Sequence, residues 1–359
     1  MSQGRNSGAA LALASTSDAE CNPPASDDQS PSPQTQGQVN GSSIIELKKS
    51  AAPKTKAPKK LQDLTLTVRE EQLISSGVRI ESEPPTGDDM NFMHSIMCQV
   101  GLPRSKVEGD RFERVCGNAA LLVKAGELWD GKHFVPQPIP YGAMPRLILA
   151  YMNTYAITKK TPVIPIGNSA RDFLRLLGKD GSGGKRGSLT TFRKQIQALA
   201  SCHMTLGFNT NGKAQTFNGR PIDRFEAWVV SDEEEQQGLW PGVITYSDTY
   251  YQTLIAHAVP IDVRAYYALK GSSLAMDVYI WLAERLHRIG AKPLRLNWKS
   301  LRDQFGQEYQ GKEADKDFKK KFVLALQKVQ VVYPAAKVDV VDFGLLLTGS
   351  PPPIPPKIS

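Results

Sequence analysis

The 359-residue sequence predicts an α+β protein: two tandem winged-helix (helix-turn-helix) domains, preceded by a small mixed lead-in module and a disordered N-terminal tail. Two observations predict it. Downstream of Tyr141 one order of elements occurs twice, helix, short strand, helix, helix, hairpin, and before about residue 60 the composition cannot support a core. The predicted divisions are a basic tail (1–60), a lead-in module (61–140), a first winged helix (141–236), a second (237–349) and a Pro-rich tail (350–359).

Residues 1–60 are rich in Ser, Gln, Pro, Ala and Gly, and bury too little apolar surface to offset the entropy of ordering. Ala9–Ala14 is shaped like a signal-peptide core, but one Arg precedes it and its length is minimal, so it reads as tail. The tail closes on KKSAAPKTKAPKK (Lys48–Lys60), which suits sequence-independent phosphate attraction and equally a solvated linker. From Leu61 the pattern turns globular. MNFMHSIMCQVG (Met90–Gly101) reads as a short helix with a Gly stop, and RFERVCGNAALLVKAG (Arg111–Gly126) as a hairpin turning at Gly117-Asn118.

The first winged helix opens with an amphipathic helix from Pro145, in which Leu147, Ile148, Tyr151 and Tyr155 recur at three- and four-residue steps. TPVIPIG (Thr161–Gly167) has the prolines and alternation of an edge strand. Asn168 or Ser169 then caps a second helix that Gly178 closes. After the basic link KDGSGGKRG, Ser188 caps a third helix, LTTFRKQIQALASC. MTLGFNT and GRPIDRFEAWVV read as a hairpin about Asn211-Gly212.

Downstream, Ser273–Gly290 is the first helix, PLRLN the strand, WKSLRDQFG the second helix, Asp315–Val329 the third and AAKVDVVDFGLLL the hairpin. An offset of 131 pairs Pro162 with Pro293, Ser169 with Ser300, Arg171 with Arg302 and Asp172 with Asp303. About one identity would be expected from composition alone, so the repeat reads as a tandem duplication.

Lys plus Arg outnumber Asp plus Glu by 44 to 36, a net charge of +8 that permits a polyanionic partner, and 40% apolar residues suffice for real cores. No apolar run reaches the ~18–20 residues of a membrane span. Cys21, Cys98, Cys116 and Cys202 fall at irregular spacing, which reads as reduced thiols in a bacterial cytoplasm rather than a zinc or redox site.

In a helix-turn-helix unit the third helix enters the major groove, so one side must be apolar and the other short, polar or basic. Winding 189–202 at about 100° per residue places Leu189, Phe192, Ile196 and Leu199 on one side, and Thr190, Thr191, Lys194, Gln197, Ala198 and Ser201 on the other. Arg193 flanks this face, and Lys185 and Arg186 stand where phosphates would pass the helix start. In the second unit Phe318, Phe322, Ala325, Leu326 and Val329 form the core side, leaving Lys320, Lys321, Gln327 and Lys328 outward. The predicted DNA-binding residues are therefore Lys185, Arg186, Thr190, Thr191, Arg193, Lys194, Gln197, Ser201, Lys320, Lys321, Gln327 and Lys328.

Enzyme signatures fail on spacing. GSGGKRGS (Gly181–Ser188) has Lys179 where a P-loop needs its first Gly, and Arg186 where it needs Ser or Thr. His94, His133, His203, His257 and His287 never take the spacing of a rolling-circle nickase's metal ligands. DEEE (Asp232–Glu235) reads as a solvated loop, Cys202-His203 as sequence neighbours rather than a dyad, and Tyr250, Tyr251, Tyr266 and Tyr267 as core residues of helices. No catalytic residue, metal or cofactor is predicted. A dedicated repressor and a tyrosine-dependent nickase are the alternative readings.

MHSIMCQVGLPRS, GNAALLVKAG, PYGAMPRLILAYMNTYAITKK, IPIGNSARDFLRLLG and GSGGKRGSLTTFRKQI together resemble the RepA-type plasmid replication initiators, closely over about Asn91–Phe208. The resemblance implies a protein that binds repeated double-stranded origin sites, promotes melting of an adjacent AT-rich stretch and helps load the host replicative helicase with the host initiator DnaA. It also implies a homodimer that represses its own gene. Pro140, Tyr141, Gly142, Pro145 and Arg146 match the family's block; their implied job is to hold the first helix against the lead-in module, with Arg146 in reach of phosphate.

Overall fold

The computed structural model describes residues 66–167, 169–179, 187–210, 213–225 and 242–356. The tail 1–60, Asn168, Lys185, Arg186, the Asn211-Gly212 turn and Asp232–Glu235 lie outside these residues.

The chain enters at α1 (Val68–Ser82), started by a reciprocal capping box between Thr67 and Glu70. Met90–Gly101, expected as one helix, divides into β1 (Met90–His94) and α2 (Ser95–Gln99). The reason is non-local: β1 pairs antiparallel with β11, Ala258–Asp262, in register Met90 to Asp262. Next come the expected hairpin, β2 (Arg111–Cys116) and β3 (Ala119–Lys124), and a separate small hairpin, β4 (Glu127–Trp129) and β5 (Phe134–Pro136).

The segment predicted as the first repeat comprises α3 (Ala143–Lys159), β6 (Val163–Pro165), α4 (Ala170–Leu176) and α5 (Ser188–Ser201). Ser169 is the cap of α4, its hydroxyl accepting from the Asp172 N–H. α5 is capped at Gly187 without a side-chain bond, so Ser188 is its first helical residue rather than its cap. The hairpin is also re-drawn: β7 (His203–Thr210) pairs with β8 (Lys213–Gly219), and Pro221 separates it from β9 (Ile222–Arg224). GRPIDRFEAWVV is therefore not the partner of β7. A proline lacks the ladder donor, and β9 turns instead to β10 (Val243–Tyr246), which also pairs with β6.

The chain then forms α6 (Asp248–Ala256), β11 and α7 (Val263–Ala268) before the second repeat. This repeat has all the expected elements: α8 (Ser273–Arg285), β12 (Leu294–Asn297), α9 (Trp298–Phe305), α10 (Ala314–Val332), β13 (Val338–Val341) and β14 (Gly344–Leu347). Its three strands close as β12-β14-β13, while in the first repeat the corresponding positions are β6-β10-β9. The hairpin β7–β8 instead extends β2–β3 into a four-stranded sheet, β2-β3-β7-β8.

The two predicted units meet where α3 touches α8. Arg146 of α3 and Asp277 of α8 lie 131 residues apart, the offset of the repeat itself, and form a buried two-pronged ion pair at 2.7 and 2.8 Å. The offset of 131 does not hold at the next helix: Ser169 caps α4, but Ser300 lies inside α9, whose cap is Asn297.

The segment before Tyr141 serves both repeats. Its β2–β3 hairpin joins the first, while α1 lies on α10 and α2 on α8. One continuous set of buried apolar side chains, from Met93 to Leu347, results.

Candidate nucleic-acid interface

α5 buries Phe192, Ile196 and Leu199 against α3 and α4, with Leu189 partly covered. Its first two turns expose Thr190, Thr191, Arg193 and Lys194, with Gln197 half-buried at their edge. The Thr191 hydroxyl donates to the Gly187 carbonyl, which leaves its oxygen as an outward acceptor. The Lys194 ammonium stands 6.0 Å from the centre of the Tyr141 ring. Tyr141 is tied to the same helix, since its N–H donates to Oε1 of buried Gln195 at 2.7 Å.

Ser201 does not belong to this face. It is 2% exposed, Ala198 on the same expected face is buried too, and the Ser201 hydroxyl donates to the Ala198 carbonyl. The cause is the chain entering β4. Gly126 lies so close that a Cβ there would stand 2.1 Å from the Ser201 carbonyl oxygen, which only glycine tolerates. Helical winding cannot reveal this cover, because it comes from a segment about seventy residues earlier.

Arg146 is not a phosphate contact either. It is 3% exposed, and its guanidinium donates to Asp277 and to the carbonyls of Leu102, Pro103 and Gly142. Burial disfavours its charge, but Asp277 holds it above its ordinary pKa. Gly142, at φ 81, starts α3 and donates its N–H to the Pro103 carbonyl. The implied holding role of this block is therefore visible in its hydrogen bonds. Arg104 and Arg114 complete a buried network through Glu308. Burial pulls Arg104 below its usual pKa; it would also raise Glu308, but the two arginines hold that carboxyl below the usual range.

On the second repeat, Lys320, Lys321, Gln327 and Lys328 are all exposed, as expected, but they do not act together. Measured from Lys320 at about 100° per residue, Gln327 lies close in bearing, while Lys321 and Lys328 are a quarter-turn away. Lys320 and Gln327 line an open groove of about 960 Å³ between α9 and α10, together with Trp298, Lys299, Lys316 and Leu324. Lys328 lies instead beside α1, where Glu70 is held below its usual range first by the Thr67 backbone N–H and hydroxyl and last by Lys328.

Sequence reading missed Lys299, Arg302, Lys316 and Lys319 of this groove. Lys319 lies over the Trp298 ring at 4.8 Å, Arg302 pairs with Asp315 and Lys316 with Glu313. Lys299 and Lys320 have no carboxylate within 4 Å among the described residues. The stripe 316, 320, 323, 327 was the available signal, but where α9 crosses α10 is a tertiary matter.

The tyrosines weighed as nucleophiles are packed residues. Tyr250 and Tyr266 are fully buried, and burial pushes their hydroxyls up; it pushes Tyr267 up to about 12. Cys202 is buried, donates to the Leu199 carbonyl and is pushed up to about 12 by burial, while His203 points outward to Arg220. The two are not a dyad. No described helix is long and apolar enough to cross a membrane.

Residues 139–299 match the family model described as plasmid encoded RepA protein. The match spans the α5 face and ends at the start of α9, short of α10. No curated protein matches the chain.

Proposed function

We propose that this chain, whose residues 139–299 match the family model described as plasmid encoded RepA protein, is a non-enzymatic replication initiator of the bacterial cytoplasm that binds repeated double-stranded origin sites through two winged-helix units. The observation that carries the proposal is the first half of α5: two threonines and two cations, Arg193 and Lys194, outward with no acidic side chain among them, large apolar side chains inward, on a helix packed against α3 and α4. Such a face admits close approach to base edges, where a long-chained acidic one would not. The groove between α9 and α10 adds cations suited to phosphate and positions the second unit. Binding energy gained at the repeats is then available to deform an adjacent AT-rich stretch, to which DnaA and the replicative helicase of the host are recruited. Repression of its own gene by a dimer belongs to the same reading.

Anisotropy on duplexes carrying the plasmid's origin repeats tests it. Lys194→Ala should weaken binding, Gln197→Ala should shift base preference by ~1–3 kcal/mol, and Ser201→Ala should do neither. Wild-type protein should raise permanganate reactivity beside the repeats and form no covalent adduct with supercoiled origin DNA and Mg²⁺. Equal binding by wild type and the first two variants removes α5 as reader. Protection of a single palindrome without melting would indicate a repressor, and an adduct would indicate a nickase.

A further inference from the structure

The hairpin β4–β5 is anomalous for a surface element. Trp129 and Phe134 are 52% and 67% exposed, although large aromatic rings carry the strongest incentive to be buried. They are directly cross-strand partners, with ring centres 5.2 Å apart. Val135 is exposed beside them. The hairpin forms its own two-stranded sheet and adds nothing to the four-stranded one.

It is nonetheless held firmly. At the tip, the Asp130 carboxylate accepts the N–H groups of Lys132 and His133, both at 2.7 Å, and the Asp130 N–H donates to the His133 carbonyl. At the base, the Gln137 N–H donates to the Gly126 carbonyl, and Gly126 lies flush on Ser201. The turn bonds hold the Asp130 carboxyl below its usual range, so the acid at the tip is engaged with the backbone, whereas Lys132 is exposed.

The position of that anchor matters most. Ser201 lies seven residues beyond Lys194, on nearly the same helical bearing and about 10 Å further along the axis. The hairpin therefore covers the second half of the α5 face whose first half is offered to DNA. The element next to that face thus carries two exposed aromatic rings and the exposed Lys132.

We propose that the Trp129–Phe134 hairpin is a base-stacking site that takes the unpaired bases of a separated DNA strand next to the duplex held by α5. Aromatic faces stack on any base with little sequence preference, and paired bases inside a duplex do not offer their faces to them. The proposal rests on the α5 reading, but addresses a different state of the DNA.

The full chain and the double variant Trp129→Ala/Phe134→Ala are compared by anisotropy on a labelled oligodeoxythymidylate and on the origin-repeat duplex. Both residues are exposed, so circular dichroism and melting temperature should be unchanged. The double variant should bind the single strand about tenfold more weakly, hold the duplex within twofold and lose permanganate reactivity beside the repeats; Trp129→Phe should retain single-strand binding. Unchanged single-strand affinity overturns the proposal while leaving the α5 reading intact. Equal loss on both DNAs overturns it in favour of a support for α5. A wild-type dimer that the double variant breaks, with single-strand affinity unchanged, makes the rings a self-association surface.

Discussion

Asp277→Ala should be among the most damaging single changes in the molecule. Asp277 takes two charge-assisted bonds from Arg146, at 2.7 and 2.8 Å, and lies 3.9 Å from Arg104. The buried network holds three arginines, Arg104, Arg114 and Arg146, against two acids, Asp277 and Glu308, so it carries +1; without Asp277 it carries +2. Two charge-assisted bonds at about 1.5–3 kcal/mol each agree with the ~3–5 kcal/mol typical of breaking a buried pair. That is a large share of a total near 5–15 kcal/mol, and it corresponds to a melting temperature lowered by about 6–20 °C. Urea denaturation of wild type, Asp277→Ala, Arg146→Met and the double variant closes a cycle. Arg146 also satisfies the carbonyls of Leu102, Pro103 and Gly142, so the double variant should not regain wild-type stability. It should still be less damaged than the sum of the singles by about 2 kcal/mol or more, because no unpaired charge remains. A loss below about 1 kcal/mol for Asp277→Ala, or strict additivity, would refute this account of the contact between the repeats.

Further outcomes follow from single sites. His94 is buried with its pKa pulled from 6.5 to about 3 by desolvation and, secondarily, by His257. The unfolded chain therefore takes up this proton first, so the contribution is complete above pH 6.5 and is lost as pH falls toward 3, at about 1.4 kcal/mol per pH unit. His94→Asn keeps an acceptor for the Ile96 N–H and should flatten that slope in urea titrations; an unchanged slope would point to other groups. Lys319→Ala and Lys320→Ala should each lower the salt dependence of DNA binding by about one unit and weaken all sequences alike, read as log affinity against log salt. A change in base preference would instead make α10 a reader. Gly126→Ala should push the β4–β5 hairpin off Ser201 and cost about 2–3 kcal/mol in thermal melts; an unchanged melt would mean the close approach relaxes freely.

Much of this protein was decided locally and is legible from residues in order. The apolar side of α5, the split of α10 into core and solvent sides, the β2–β3 turn and every element of the second repeat follow from 3.6- and 2-residue periods and turn chemistry, which depend only on near neighbours. The match over 139–299 is likewise a property of the residues alone. What tertiary structure decided is what lies against those faces. Ser201 obeys the winding of its helix and is buried because Gly126 crosses it; Arg146 has the residue type of a phosphate contact and is consumed by Asp277, 131 positions away. Met90–His94 is a strand because β11 offers it a ladder, and Lys320 is divided from Lys328 by where α9 and α1 cross α10. Periodicity states which way a side chain points, but burial and pairing depend on which distant segment arrives there, and that is determined only when the whole chain has found its minimum.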